Sequence, residues 1–233
     1  MTAEILSIPR PVLHEQVASR LRQMLVEGRI APGAKLNERT LCEELRISRT
    51  PLREAIKMLA AEGLVELLPN RGSVAVQLSV ADVHNTFEVM AGLEALSGEL
   101  AAQRITDAEL AEIKALHYEM LAAYTRRDLS TYYQLNATIH RCMNAAAKNP
   151  VLTSTYNQVN ARLQALRFRS NQDGDKWSRA VQEHEAMVQA LEARDPAALS
   201  RVLTSHLNNK RDVVLDQLRE QEAQALQHRG HGE

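Results

Sequence analysis

The stretch ISRTPLREAIKML, residues 47–59, decides how the first third of this chain reads. Leu52, Ala55, Ile56 and Leu59 recur at helical spacing, so one side of a short helix is aliphatic and buries. Arg49, Arg53 and Lys57 follow one another at i, i+4 and i+8 along another edge. Ser48 or Thr50 fits the N-cap, and Pro51 falls in the first turn, where a missing N–H costs nothing. Gly63 supplies the stop.

On the N-terminal side, Leu13, Val17, Leu21, Met24 and Leu25 mark a helix from about Val12 to Glu27, stopped by Gly28. A second helix is expected from Asn37, a suitable cap, to Leu45. On the C-terminal side, LVELL, the turn PNRG and SVAV read as a two-stranded hairpin. Helix, turn, helix and hairpin make a winged helix-turn-helix, whose second paired helix enters the DNA major groove. A lone Arg pair at i, i+4 is more often a solvated edge. Combined with this spacing and an Asn70-Arg71-Gly72 wing tip, it points to DNA. Arg reads guanine bidentately, and the positive end of the helix dipole favours phosphate. Arg39, opening the preceding helix, is placed for a backbone phosphate.

Composition limits the alternatives. A formal net charge of −1 excludes binding by bulk charge, so any nucleic-acid contact must be a local patch. Residues 1–76 carry eleven Lys/Arg against nine Asp/Glu, and the rest seventeen against twenty, which is only a mild polarity. Aromatics are 3% of the chain, so the core must rest on Leu, Ala, Val, Ile and Met, a composition that favours helix packing. Cys42 and Cys142, far apart and without CxxC spacing, read as small buried hydrophobes in a reducing compartment. MTAEILSIPRPV lacks a signal-peptide apolar run, and nothing approaches the ~18 apolar residues of a membrane span, so the expected location is the cytoplasm.

After Val76 the strand pattern disappears. Helical periods run over Asp82–Arg104, Asp107–Arg127, Leu129–Lys148, Val151–Arg169, Ser178–Ala193 and Pro196 to about Gln224, with a frayed tail QHRGHGE. The fold class is therefore mainly α: a winged helix-turn-helix domain, residues 1–78, and an all-α bundle, residues 79–233.

The bundle's polar intrusions are its clues. His184 shares a stripe with Val181, Met187, Val188 and Leu191. His206 shares one with Leu199, Val202, Leu203 and Val213. His140 sits between Ile139 and Met143, one turn after Asn136. Each alone suits a satisfied core histidine; together they also suit one shared metal ion. His184-Glu185 lacks the second histidine of HExxH, since position 188 is Val. No G-x-S-x-G, P-loop or GxGxxG occurs. His14, His84, His117, His228 and His231 read as surface or tail residues, and Trp177 as a packing residue or a pocket cover.

The run PGAKLNERTLCEELRISRTPLREAIKMLAAEGLVELLPNRGSVAV resembles the N-terminal domain of GntR-family transcriptional regulators. PG at 32–33, L-x-E-R at 36–39, SRTPLREA at 48–55, L-x-x-EGL at 59–64 and the NRG turn carry the likeness. It implies DNA contacts from Arg39, Ser48, Arg49, Thr50 and Arg53, wing contacts from Arg71 and Gly72, and a homodimer on a short pseudo-palindromic operator in double-stranded DNA. The helical part resembles the FCD domain of the FadR subfamily, through LNATIHRCMNAAAKNPVL at 135–152, QEHEAMVQALEARDPAAL at 182–199 and SHL at 205–207; six helices resemble the VanR-type branch. That resemblance implies a divalent metal, zinc or nickel, held by Asn136, His140, His184 and His206, with Asn136 where relatives commonly have Asp. Met90 stands where many relatives place an arginine that pairs with an effector carboxylate; Arg162, Arg167 or Arg169 is the expected substitute, and a small organic acid the expected effector. The expected function is a metabolite-responsive regulator, a repressor. The rival, a metal-dependent enzyme fused to a DNA-binding module, needs an acid or base beside the metal; Glu183 and Glu185 are the only candidates, and helical spacing places both off the His184 face.

Overall fold

In a computed structural model of the chain, residues 13–169 and 174–230 are described, with side chains over 13–163 and 177–220. The chain divides into two compact units, Met1–Gln77 and Leu78–Glu233.

The first unit contains α1 (Leu13–Val26), α2 (Glu38–Leu45), α3 (Arg49–Ala61), β1 (Val65–Leu68) and β2 (Gly72–Ala75). Asn37 caps α2 by accepting from the amides of Arg39 and Thr40 at 3.1 and 3.2 Å. Arg46 ends that helix in a left-handed conformation with φ 53°, which turns the chain sharply into α3. The apolar sides of the three helices close over one core, in which Leu21, Leu52, Ala55 and Leu59 are fully buried. β1 and β2 pair antiparallel from Val65↔Ala75 to Leu68↔Gly72. Lys35 adds a bridge to Val74, so the loop before α2 is stitched to the hairpin's outer edge. The hairpin turn needs Asn70 at φ 58° and Gly72 at φ 88°. Only Lys35 Cε, at 3.5 Å, would meet a Cβ at position 72, so it is the backbone angle that asks for glycine there.

The second unit is built, among the described residues, from six helices: α4 (Val80–Arg104), α5 (Asp107–Thr125), α6 (Leu129–Ala146), α7 (Pro150–Arg169), α8 (Gly174–Glu192) and α9 (Pro196–Gly230). Their starts follow side-chain chemistry. Ser79 with Asp82 and Thr106 with Glu109 form reciprocal capping boxes, and Asp128 and Asp195 accept amide hydrogens at the heads of α6 and α9. The Ser79 box explains why α4 begins two residues before the periodicity suggested. α6 ends two residues early because Lys148, φ 51°, leaves the helix ahead of Asn149 and Pro150. α9 extends to Gly230, past the expected frayed start of the tail.

α4 packs on α9 at close range. A Cβ on Gly98 would stand 2.6 Å from Leu203 Cδ1 and 3.0 Å from Leu199 Cγ, so hydrogen is the side chain that permits the approach. Two apolar clusters fill the unit, one around Met120, Ile139, Met187 and Leu203 and another around Phe87, Met90, Tyr156 and Leu207. Cys42 and Cys142 are free and only partly buried, which corrects the expectation that both are core residues.

Candidate functional site

In the first unit, α3 presents two chemistries on opposite sides. Leu52, Ala55, Ile56 and Leu59 are within a few per cent of complete burial, while Arg49, Thr50, Arg53 and Lys57 are exposed. Ser48 is the N-cap residue by its extended backbone, yet its side chain makes no capping hydrogen bond. Arg49 and Thr50 follow as the first two helical residues, so their side chains crowd the positive end of the helix dipole. The three cations of the edge are not equivalent. Arg53 Nε donates to both carboxylate oxygens of Glu38 on α2, at 3.2 and 3.0 Å. Lys57 is paired with Glu54 at 2.8 Å. Arg39 stands 4.0 Å from Glu43, with both side chains more than two-thirds exposed. Arg49 has no ion-pair partner among the described residues. Arg71 is exposed at the hairpin tip beside Gly72. The surface is an arginine-bearing helix end plus an arginine-bearing turn, on a scaffold whose core lies behind.

In the second unit, α6, α8 and α9 bring His140, His184 and His206 together. One candidate ligand atom from each lies within 4.8 Å of the others, and all three side chains are buried. Their ring centroids are 5.0 to 5.3 Å apart. His184 is completely buried, and neither ring nitrogen has a hydrogen-bond partner among the described residues. Two orphaned nitrogens in a dry interior are costly unless something binds them. Burial pushes the His184 pKa far down, and the neighbouring rings of His140 and His206 push the same way, so the imidazole is neutral.

Carboxylates reach the outer edges of this cluster. Glu183 Oε2 accepts the Nδ1–H of His206 at 2.6 Å, and its Oε1 accepts from Asn209 at 2.6 Å. Burial pulls the Glu183 carboxyl up, but the His206 and Asn209 hydrogen bonds hold it below its ordinary value. Burial also lowers His206, although Glu183 opposes that shift. The pair is therefore a neutral imidazole donating to an ionised carboxylate. On α4, Glu94 is 2% exposed, and its Oε2 lies 3.1 Å from His140 Nδ1. Glu185 turns the other way and meets His117 Nε2 at 2.8 Å. A cleft of about 210 Å³ opens beside His206, walled by Arg179, Glu183, Asn209 and Lys210.

Several expectations change here. Glu183 and Glu185 do lie off the His184 face, but Glu183 touches His206 from the same helix, and Glu94 adds a second carboxylate at His140. His117 is 2% exposed, neither a surface nor a tail residue. Glu94 and His117 both sit on buried stripes, Met90-Glu94-Ser97-Ala101 and Ile113-His117-Met120, the same signal of a polar residue on an apolar face that marks the triad. Trp177 is buried edge-on against Tyr124 and Tyr132, each at 5.1 Å between centroids. Asn136, one turn before His140, is partly buried. Arg162 is exposed on α7, while Arg167 and Arg169 lie outside the residues whose side chains are described. His14 is partly buried and His84 exposed; His228 and His231 also fall outside the described side chains.

Three buried imidazoles at this spacing match the donor preference of a borderline divalent cation such as zinc or nickel, rather than of calcium or magnesium. The orphaned nitrogens of His184 fit the same occupant. Among the described residues, no helix is long and apolar enough to cross a membrane.

Comparison with known proteins agrees with both halves. The family described as "Bacterial regulatory proteins, gntR family" matches residues 13–74, and the FCD domain matches residues 85–209. The HTH-type transcriptional regulator YdfH of Escherichia coli O6:H1 (strain CFT073) is 28% identical over 214 residues, covering 92% of this chain and 94% of that protein. The HTH-type transcriptional repressor RspR of Escherichia coli K12 is 27% identical over the same length and with the same coverage. Among solved structures, McbR/YncC of E. coli superposes with a TM-score of 0.80 at 20% identity, over 89% of this chain and 99% of that one, which speaks to the fold alone. A winged helix with an arginine-bearing helix end, followed by a helical FCD domain, identifies this chain as a transcriptional regulator of the GntR family.

Proposed function

We propose that the protein is a homodimeric repressor whose grip on operator DNA is set by a small molecule bound beside a divalent metal ion in the FCD domain. The observation that carries this reading is the split character of the chain: cations exposed on a helix end in one unit, and three imidazoles buried around a common centre in the other. Arg49, Thr50 and Arg53 supply base-edge and phosphate contacts, Ser48 and Arg39 phosphate contacts, and Arg71 with Gly72 a contact at the wing. Repression is supported by the likeness to RspR.

His140, His184 and His206 hold the ion, with Asn136 as a neutral fourth donor. Bound there, a divalent cation would supply fixed positive charge and an open coordination position for an oxygen atom of the effector. A small organic acid suits such a centre. The protein's part is to present three imidazole rings, exclude water around His184, and convert ligand binding into a shift of the helices that carry those rings. An effector can release DNA only by binding one arrangement more tightly than the other. The cytoplasm, where DNA and metabolites meet, is the proposed location.

The DNA reading is tested by selecting an operator from genomic fragments with the purified full chain and then measuring Arg49→Ala and Arg53→Ala. Each should lose about 1–3 kcal/mol of operator affinity. Unchanged affinity in both removes direct reading by α3. The metal reading is tested by elemental analysis of protein purified without a histidine tag. Absence of bound metal, together with unaltered melting of His184→Ala, removes it.

A further inference from the structure

Glu94 and Glu183 flank the histidine triad from α4 and α8, and the resemblance to the FCD domain assigned a ligand role to neither. Both contacts fall on an Nδ1 atom: Glu183 Oε2 on His206 at 2.6 Å and Glu94 Oε2 on His140 at 3.1 Å. An imidazole whose Nδ1 is engaged by a carboxylate has its tautomer and ring angle fixed, and keeps Nε2 as the nitrogen available to an ion. His206 is held in this sense by a hydrogen bond, while at His140 the Glu94 oxygen stands at ion-pair distance from the same atom without forming a hydrogen bond.

Charge leads to the same place. Imidazole nitrogens that ligate an ion and the amide of Asn136 bring no charge, so a divalent cation among them would be an uncompensated double charge in a buried site. Such a charge is stable only when paired. Glu94 is 2% exposed and the Glu183 side chain 16%, so solvent screens neither strongly. Ionised, they carry two negative charges between them.

We propose that Glu94 and Glu183 are positioning residues of a divalent-cation site, which fix His140 and His206 and replace the charge that Asn136 does not bring. The proposal rests on the metal reading above. It gives the substitution at position 136 a physical meaning: the negative charge has moved from the ligand shell to the carboxylates behind it. Glu185, whose carboxylate points to His117, takes no part.

The test is competition for zinc, and separately for nickel, between the tag-free full chain and a chromophoric chelator. The wild-type chain should take one ion per protomer. Glu94→Gln and Glu183→Gln keep shape and remove charge, and each should weaken binding roughly 10–100-fold, with unchanged helicity and melting of the metal-free protein. Asn136→Asp placed in the Glu94→Gln background should recover about tenfold or more, which a merely packing role for Glu94 would not produce. If Glu94→Gln does not fold, the more exposed Glu183→Gln and its combination with Asn136→Asp carry the same comparison. Wild-type binding with undiminished affinity in both glutamine variants, or failure of Asn136→Asp to restore any affinity, overturns the proposal alone. A wild-type chain that binds neither ion overturns the metal reading with it.

Discussion

The two units place their functional side chains in opposite ways. In the winged unit every candidate contact, from Arg39 to Gly72, lies within one short stretch, projects into solvent, and is braced from behind by an aliphatic core. In the helical unit the candidate contacts come from α4, α6, α8 and α9, separated by up to more than a hundred residues, and all but Glu183 and Asn136 are nearly inaccessible. A surface that reads a polyanion needs charge in high dielectric, where a cation is stable without a partner. A site that holds a cation needs neutral donors in a dry interior, and there each polar group must have a neighbour.

That contrast should break most visibly when one core is damaged. Leu52 is completely buried behind the arginine edge, and Leu52→Ala should cost the winged unit about 2–5 kcal/mol. The expected result in urea unfolding is an early loss of α3, with metal binding in the helical unit retained. Simultaneous loss of both would show that the cores do not unfold separately. The converse variant is Gly98→Ala. Its methyl group would press Leu203 and Leu199 apart, at a cost of about 1–3 kcal/mol, read as a lowered melting temperature with operator contacts chemically intact.

The difference in placement also explains what the sequence disclosed. The winged unit was legible because its signals are local: a cap, a stripe of four apolar residues, a glycine stop and a tight turn. The helical unit's segments were legible from periodicity, and the histidine triad from polar residues on apolar stripes. Glu94 and His117 are single polar residues on otherwise apolar stripes, and their partners lie on other helices, which no local spacing reports. Spacing within α8 places Glu183 beside, not on, the His184 stripe. Its partner, His206, sits on α9, and no spacing within α8 reports which neighbouring helix faces an outward-looking carboxylate. The Arg53–Glu38 pair was hidden for the same reason, since it joins two helices across a turn.

Acid should separate the units more gently. His184 and His206 have folded-state pKa values below the ordinary histidine range because burial disfavours their charged forms. The unfolded chain therefore binds more protons as the pH drops below about 6.5, and stability of the helical unit should fall there, on the way to the depressed folded values. The winged unit has no buried histidine among its described residues and should show little change over that range. Unfolding curves between pH 7.5 and 5 check this, and a flat profile for the helical unit would contradict neutral buried rings.

The smallest effect on stability is expected at Glu38. Its carboxylate spans 3.0–3.2 Å to Arg53 Nε, but the two side chains are 31% and 58% exposed, so solvent and salt screen the pair. Glu38→Gln should therefore change unfolding free energy by only about 0–1 kcal/mol, and less at high salt. DNA binding should respond differently. Glu38 engages Arg53 through Nε, which leaves the terminal nitrogens for the proposed contact with guanine O6 and N7. It also sets a negative charge beside the proposed DNA-contacting arginine. Removing it should raise affinity for arbitrary duplex while lowering discrimination between an operator and guanine-substituted copies of it, because the guanidinium gains charge freedom and loses its fixed angle. A stability loss above about 2 kcal/mol would instead make the pair a structural brace of the α2–α3 turn, beyond what an exposed ion pair contributes.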